Sequence, residues 1–248
     1  MIGLIKTLGF RCSLILVVAI FQAGCSTLET AIQPTDFNGV WFVTEYDEIK
    51  RPDEDNPSYT EEALRRLDFY KSHFDVVSES AVIYCNPIGM PWAMLARARD
   101  YPREVYQTKD RLIVFFEYMD EYRVIYLNQT EVPKNWLGSK MGYSLGHWEG
   151  KELVVETSGY LESSEASSFQ RSAEARTIER WRLIDHPKYG KSLEVEMELT
   201  DPVIYSEPRY ARALWKIGEP GALVGTYGCP ATLWEEYVDK RIEETESE

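Results

Sequence analysis

Apolar and polar residues alternate most regularly in the second half of the chain, and this pattern predicts β-strands. The run at residues 192–199 places Leu193, Val195, Met197 and Leu199 between glutamates. Because side chains on a strand alternate between its two faces, these apolar residues share one face. Comparable runs, divided by short connections that contain turn-forming residues, lie at 103–108, 111–118, 122–127, 174–183 and 210–217. Short strands at this spacing indicate an antiparallel sheet that buries one face.

A hairpin at residues 136–158 lies in the middle of this pattern. Its first strand places Ser144 and Gly146 on one face, and Gly150 supplies the turn because glycine tolerates a positive φ. A face of small residues leaves room for another group to approach the backbone closely, as at a bend in a barrel. The strands together predict a mainly β fold, a closed antiparallel β-barrel of about eight to ten strands.

Two helices are expected to flank the barrel. Thr60 is a good N-cap for a helix that runs to His73, with acidic residues in its first turn. The second helix, within residues 231–248, begins with a capping box formed by Thr232 and Glu235 and ends in an acidic tail. The first helix should face the barrel with an apolar stripe, which consists of Leu64, Leu67, Tyr70 and Phe74.

The start of the chain is typical of an exported protein. Two basic residues precede an apolar run at 13–21 that is too short to span a bilayer comfortably, and Ala23, Gly24 and Cys25 follow it. Residues 1–24 are therefore interpreted as a signal peptide. Its end resembles a bacterial lipobox, which implies lipidation of Cys25. The alternatives are cleavage without lipidation and a retained anchor helix.

The lipobox resemblance also gives a location and a partner. A lipid on Cys25 would anchor the protein to a membrane in the cell envelope, and a serine after the cysteine resembles sorting to the outer membrane, facing the periplasm. Residues 25–35 would form a tether, residues 36–230 the barrel domain and residues 231–248 the C-terminal helix and tail.

Charge and composition narrow the possible functions. The chain has 27 cationic and 41 acidic side chains; removal of the leader leaves 25 − 41 = −16. An acidic surface repels phosphate backbones, so nucleic acid is not an expected partner. The three histidines share no metal-ligand spacing, and neither a metal nor a cofactor is predicted. An aromatic content of 13% suits either a packed core or an aromatic pocket.

Cys85 and Cys229 are the cysteines left in the mature chain, and they are a candidate disulfide in an oxidising compartment. Cys85 opens an apolar loop with two prolines and a glycine, which exclude regular structure. Such a loop either buries itself in the core or covers a cavity as a lid. In the second case the candidate ligand-binding residues are Met90, Trp92 and Met94 from the loop, together with Trp148 and Trp181 from the strands.

Glu179 is a charged residue on the face of its strand that is predicted to be buried. The arginines of this strand would face the glutamates of the 192–199 run on the outside, which places Glu179 and Trp181 inside. A buried carboxylate requires a cationic partner, and Arg123 is the candidate. The favoured interpretation is a buried ion pair.

Acid/base catalysis by Glu179 is the alternative, with Arg123 or Tyr118 as an electrostatic helper and Glu117 as a further candidate. Glu117 and Arg123 are also spaced to form a cross-strand ion pair near the rim.

Several motifs resemble those of known families. Gly39 followed by Trp41 resembles the opening of lipocalin-type barrels, in which the tryptophan plugs the closed end. A wider set resembles a large family of uncharacterised bacterial secreted proteins, which implies a lipocalin-like antiparallel barrel and no assigned reaction. That set comprises Trp-Leu-Gly at 136–138, Gly-x-Trp-Glu-Gly at 146–150, Leu-Val-Val at 153–155, Glu-Arg at 179–180, Asp-Pro at 201–202 and Cys-x-Pro-x-Gly-x-Pro at 85–91.

The sequence therefore predicts an envelope lipoprotein that binds an apolar or amphipathic small molecule in its barrel. Two alternatives stay open. One is an enzyme on the same barrel, with Glu179 as its acid or base. The other is a non-catalytic interaction module of the envelope, with a solid core.

Overall fold

The computed structural model describes residues 34–47, 58–75, 79, 81–95, 101–163, 170–229 and 232–246. Nine strands of this part of the chain pair in sequence order and close into a barrel. The predicted mainly β barrel with two flanking helices is thus confirmed. The strands are β1 (Gly39–Asp47), β2 (Arg103–Gln107), β3 (Arg111–Phe116), β4 (Glu121–Tyr126), β5 (Tyr143–Glu149), β6 (Glu152–Ser158), β7 (Arg176–His186), β8 (Gly190–Thr200) and β9 (Arg209–Ile217).

One strand pair departs from the antiparallel pattern. β4 and β5 run parallel through a short register in which Ile125 pairs with Ser144, whereas the other neighbouring strands are antiparallel. The connection at residues 127–142 carries the chain back to the end of the barrel at which β4 began. β5 therefore starts at that end and runs in the same direction as β4.

Side chains fill the interior of the barrel. The alternation of β8 is observed as predicted, because Leu193, Val195, Met197 and Leu199 are all buried. The largest completely enclosed side chains come from every part of the sheet and from the connections that cover it. They include Trp41, Trp181, Trp215, Arg123, Arg171, Phe37, Met90 and Met94.

Aromatic rings close the end of the barrel at which β1 begins. Trp41 is fully buried, and its indole N–H donates to the carbonyl of Phe37 at 3.0 Å. The Phe37 ring stacks on Trp148 with centroids 5.7 Å apart. The tryptophan near the start of β1 therefore lies inside the barrel, where the Gly-x-Trp pattern predicts it.

The β5–β6 hairpin explains the small residues of the central motif. Gly150 forms the turn at φ +66°. A Cβ at Gly146 would lie 2.8 Å from Cγ2 of Ile125 and 2.9 Å from Cδ2 of Leu127. Real Cβ atoms do not come that close to their neighbours, so only glycine allows the side chains of β4 to pack on this backbone.

Helix α1 (Glu61–His73) begins as predicted, since the Thr60 hydroxyl accepts the Ala63 N–H at 3.1 Å. Its predicted apolar stripe is only partly right. Tyr70 is buried, but Leu64 is 47% exposed, and Ala63 packs in the core instead. The small alanine lets the helix lie close against the domain, and this rotates Leu64 towards solvent.

The C-terminal helix α2 (Thr232–Glu246) is held near Cys85. Tyr237 of this helix stacks on Tyr84 with ring centroids 4.0 Å apart. The next residue, Cys85, forms a disulfide with Cys229, and their Cα atoms lie 5.3 Å apart. The connection before β2 and the segment that leads into α2 are thereby joined across 144 residues of sequence.

None of the helices in the described ranges is long and apolar enough to cross a membrane. The predicted signal peptide at 1–24 and the lipidation candidate Cys25 lie outside the described residues, as does most of the 25–35 tether.

Candidate functional site

An aromatic cleft opens at the end of the barrel where β3 passes into β4, and we refer to it as the end cleft. Its free volume is about 30 Å³. A cavity of that size holds only one or two water molecules. The side chains that give the cleft its chemistry are Trp92, Tyr101, Arg103, Phe116, Tyr118 and Glu121.

Strand register brings charged and aromatic groups together in the end cleft. Arg103 of β2 pairs with Phe116 of β3, and Phe116 pairs with Glu121 of β4. Because directly paired residues project from the same face of a sheet, the three side chains form one row. The Arg103 guanidinium carbon lies 5.8 Å from the centre of the Phe116 ring. The aromatic ring therefore stands between the cationic and the acidic residue in this row.

Arg103 is a buried cation that bonds only to carbonyl groups in the described part of the chain. Its side chain donates to the carbonyl of Leu95 at 3.1 Å, of Tyr101 at 3.3 Å and of Ala93 at 3.3 Å. Burial lowers the pKa of Arg103 to about 10, so the guanidinium stays charged at neutral pH. The cleft thus contains a positive charge whose partners are neutral.

Glu121 is the acidic residue that faces the cleft, and its carboxyl forms no hydrogen bond with the described residues. Burial raises the pKa of Glu121 to about 7, although the charges of Lys140 and Arg171 oppose this rise. The desolvation of the carboxyl therefore outweighs two neighbouring cations. At neutral pH the group is divided between its protonated and ionised forms.

Those two cations are also bonded to neutral oxygens. Lys140 donates to the side-chain oxygen of Asn86. The Arg171 guanidinium donates to the carbonyls of Leu161, at 3.0 Å, and of Ile88, at 3.1 Å. Burial lowers the pKa of both Lys140 and Arg171.

The apolar loop after Cys85 forms one wall of the cleft and part of the core. Met90 and Met94 are completely buried, and the Met90 N–H donates to the Lys140 carbonyl at 3.1 Å. Trp92 is half-buried and lines the cleft. Of the three loop residues predicted to bind a ligand, only Trp92 reaches the cleft, because the methionine side chains point into the packed interior.

The two remaining ligand-binding candidates lie away from the end cleft. Trp181 is fully buried, with its ring centre 5.9 Å from that of Phe37 and 6.0 Å from that of Trp215. Trp148 covers Phe37 at the opposite end. Both tryptophans pack against other aromatic side chains, and neither lines the end cleft.

Arg123 and Glu179 form the ion pair favoured by the sequence, at the centre of the barrel. Two guanidinium nitrogens donate to the two carboxylate oxygens at 2.6 Å and 2.9 Å. Arg123 also donates to the hydroxyls of Ser144, at 2.9 Å, and Thr157, at 2.7 Å, and Trp181 donates to Glu179 at 3.0 Å. The side chains of the pair are 1% and 0% exposed, so no substrate reaches either group. The arrangement is that of a structural pair, not of an acid/base catalyst.

The predicted rim pair between Glu117 and Arg123 is wrong. Arg123 points inward because it alternates with the outward Tyr122, and its charge is already matched by Glu179. Glu117 instead accepts the Gly225 N–H at 2.6 Å. Of the four catalytic candidates, only Tyr118 lines the end cleft.

The sequence interpretation missed the charged residues of the cleft. Arg103 and Glu121 each begin a strand, where charged residues are usually exposed, and nothing local distinguishes them from their neighbours. The register of β2, β3 and β4 was the available signal, since aligning the two hairpins places both residues beside Phe116. Lys140 and Arg171 come from connections and carry no comparable signal.

No protein-family model matches the chain, and no curated protein matches it. Among solved structures, a mutant of the fluorescent protein UnaG is similar over 74% of this chain and 96% of its own, with 13% identity and a TM-score of 0.33. Human cRBP IV is similar over 75% of this chain and 100% of its own, with 10% identity and a TM-score of 0.33. The fold assignment accordingly rests on the strand pairing described above.

Proposed function

We propose that this protein binds an apolar or amphipathic small molecule, and that it does so in the end cleft and not at the centre of the barrel. The observation that carries the proposal is the carboxyl of Glu121, which is desolvated, faces an aromatic cleft and has no hydrogen-bond partner among the described residues. Aromatic walls with a few convergent polar groups are typical of small-molecule sites.

The size of the cleft restricts what enters it. Most ligand pockets enclose hundreds of cubic ångströms, which is far more than the cleft offers. We therefore expect one end of the ligand to enter against Trp92, while the rest lies across Tyr101 and Tyr118 at the mouth.

Binding of a neutral apolar dye such as N-phenyl-1-naphthylamine, followed by its fluorescence, tests this assignment. Tyr118→Ala removes a wall of the cleft and should weaken dye binding by at least about tenfold. Tyr122→Ala is the matched control, because Tyr122 lies four residues away on the outer face and is 62% exposed. Equal affinities in the two variants, or no dye binding by the parent protein, would contradict the proposal.

We further propose that the protein is a lipoprotein of the cell envelope, which belongs to the secreted bacterial family that its motifs resemble. The support is the lipobox-like end of the leader at Cys25 and the disulfide between Cys85 and Cys229, which suits an oxidising compartment. Metabolic labelling with a fatty acid should mark the parent protein but not Cys25→Ala. Equal labelling of both proteins would contradict the proposal that Cys25 carries the lipid.

A non-catalytic interaction module is the second candidate, and one observation favours it. The interior is filled by side chains, while three aromatic residues are exposed on the outer face of β2, β3 and β4: Tyr106 at 56%, Phe115 at 40% and Tyr122 at 62%. Exposed apolar patches mark interaction surfaces. The interaction module would be favoured if the protein binds the dye and if Tyr122→Ala abolishes dye binding while Tyr118→Ala does not.

A further inference from the structure

We propose that the polar group of the ligand is a carboxylate, which is held between Arg103 and the protonated carboxyl of Glu121. The inference rests on the proposed function and specifies the class of molecule that the end cleft accepts. Arg103 and Glu121 line the same cleft and belong to the same row of side chains, with Phe116 between them. An acid group on an apolar chain or ring would match that row.

The charge around the cleft favours an anion. Arg103, Lys140 and Arg171 bring three positive charges to this end of the barrel, and the hydrogen bonds they form in the described residues go to neutral oxygens. The carboxyl of Glu121 opposes the charges of Lys140 and Arg171, and that of Asp201 also acts on Arg171. The excess of positive charge stands out in a chain with a net charge of −14. A ligand carboxylate would therefore offer these cations an ionised acceptor in place of neutral oxygens, and hydrogen bonds to an ionised acceptor are the stronger kind.

The other acidic residues nearby are turned away from the cleft. Glu117 accepts the Gly225 N–H at 2.6 Å, and Asp120 accepts the N–H groups of Tyr227, at 2.7 Å, and Gly228, at 2.8 Å. Both carboxylates thereby hold the C-terminal segment. The charged and titratable groups that surround Glu121 in the described residues are Arg103 of β2, Glu117, Tyr118 and Asp120 of the β3–β4 turn, Tyr101 before β2, and Lys140 and Arg171 of the connections.

Glu121 makes the binding of an acid depend on pH. When protonated, its hydroxyl can donate to an oxygen of the ligand carboxylate. Binding therefore takes up the fraction of a proton that free Glu121 lacks, which is small below pH 7 and approaches one above it. When ionised, Glu121 repels the ligand. Because burial places the pKa of Glu121 at about 7, the change falls near neutral pH.

Displacement of the neutral dye by three probes with the same chain tests the inference. Decanoate, decanol and decylamine differ in the head group, which is anionic, neutral and cationic respectively. At pH 6 we expect decanoate to displace the dye at a concentration about tenfold below that of decanol, and decylamine to be the weakest. At pH 8 the advantage of decanoate over decanol should shrink by about tenfold, although decanoate is ionised at both values.

Glu121→Gln keeps the shape of the side chain and cannot ionise. This variant should bind decanoate equally at pH 6 and pH 8, while Glu104→Gln, on the exposed face of β2, should behave as the parent protein. Lys140→Met should reduce the preference for decanoate over decanol.

The outcomes separate this inference from the proposed function. If decanol displaces the dye but decanoate is no better, the carboxylate assignment is overturned and binding in the cleft stands. A preference for decylamine overturns it as well, since Glu121 would then be recognising a cation. If decanoate binding by Glu121→Gln still depends on pH, the proton that controls binding is not on Glu121. If the dye itself does not bind, the proposed function fails.

Discussion

The centre of the barrel and its clefted end each contain a buried arginine and a glutamate, but Glu179 at the centre is fully buried, whereas Glu121 at the end is half-buried. At the centre, Arg123 and Glu179 bond to each other through both pairs of atoms, and neighbouring hydroxyls and an indole complete the set. At the end, Arg103 bonds to backbone carbonyls, and Glu121 bonds to none of the described residues.

The hydrogen-bond partners of a charged group separate those charges that hold the fold from those that can meet a ligand. A buried charge whose hydrogen bonds are all made within the protein has nothing left to offer. The half-buried carboxyl of Glu121 forms no hydrogen bond with the described residues, and a partner from outside would relieve its desolvation. The same residue types therefore point to structure at one site and to binding at the other.

The largest expected effect comes from breaking the central pair. Glu179→Ala leaves the Arg123 charge buried without its partner, and we expect the free energy of unfolding to fall by about 3–5 kcal/mol. Urea denaturation measures the loss. The double variant Arg123→Met with Glu179→Met replaces both charges by apolar groups and should recover much of the stability. A double variant no more stable than Glu179→Ala would contradict the pairing.

Removal of the disulfide tests how the end cleft is held in place, because the bond fixes the loop that forms one wall of the cleft. Replacing Cys85 and Cys229 with serine releases a constraint across 144 residues and should lower the free energy of unfolding by about 2–5 kcal/mol. Dye affinity should fall too, since Trp92 loses its fixed position. If stability falls under thermal denaturation while dye affinity is unchanged, the loop does not form the binding wall.

Glu121→Gln should have the opposite sign to Glu179→Ala. The pKa of Glu121 in the folded protein is about 7, against an ordinary value of 4.5, so the folded state binds the proton more tightly. The stability of the parent protein therefore decreases as pH rises from about 4.5 to about 7, and the loss persists at higher pH.

The variant avoids that loss. We expect Glu121→Gln to match the parent protein at pH 4.5 and to exceed its free energy of unfolding by about 3 kcal/mol at pH 8. Denaturation curves at the two pH values measure the difference, with Glu104→Gln as the exposed control. A variant less stable than the parent at pH 8 would show that Glu121 has a stabilising partner.

The smallest effect is expected at a partly exposed group of ion pairs on the outer surface of the barrel. Arg182 lies on the outer face of β7, where it pairs with Glu194 at 2.9 Å and Glu196 at 2.8 Å, and its side chain is 37% exposed. Arg182→Ala should lower the free energy of unfolding by less than about 1 kcal/mol, and salt should reduce the effect further. A loss as large as that of Glu179→Ala would mean that burial does not separate the two kinds of pair.

The fold was more predictable from the sequence than the site. Alternation fixed the inward face of β8 and forced Glu179 inside, and the small residues at Ser144 and Gly146 indicated a close approach. These signals are local, because they depend on the period of a single strand. The parallel contact between β4 and β5 was not predictable in that way, since a long connection without a helix sets it.

The end cleft escaped prediction because it is made by tertiary structure. Arg103 and Glu121 became neighbours only through the pairing of three strands, and Lys140 and Arg171 arrive from separate connections. The loop with Met90 and Met94 looked like a lid because its apolar residues lack a period. In the structure those side chains belong to the core, and Trp92 alone turns to the cleft.

Backbone amide NMR during a titration with decanoate at pH 6 would show directly which part of the barrel meets the ligand. We predict that the shifts change at Trp92, Arg103, Phe116 and Glu121, while those of Ser144, Thr157 and Glu179 stay in place. Changes centred on Glu179 and its partners, with the end cleft unaffected, would contradict the account.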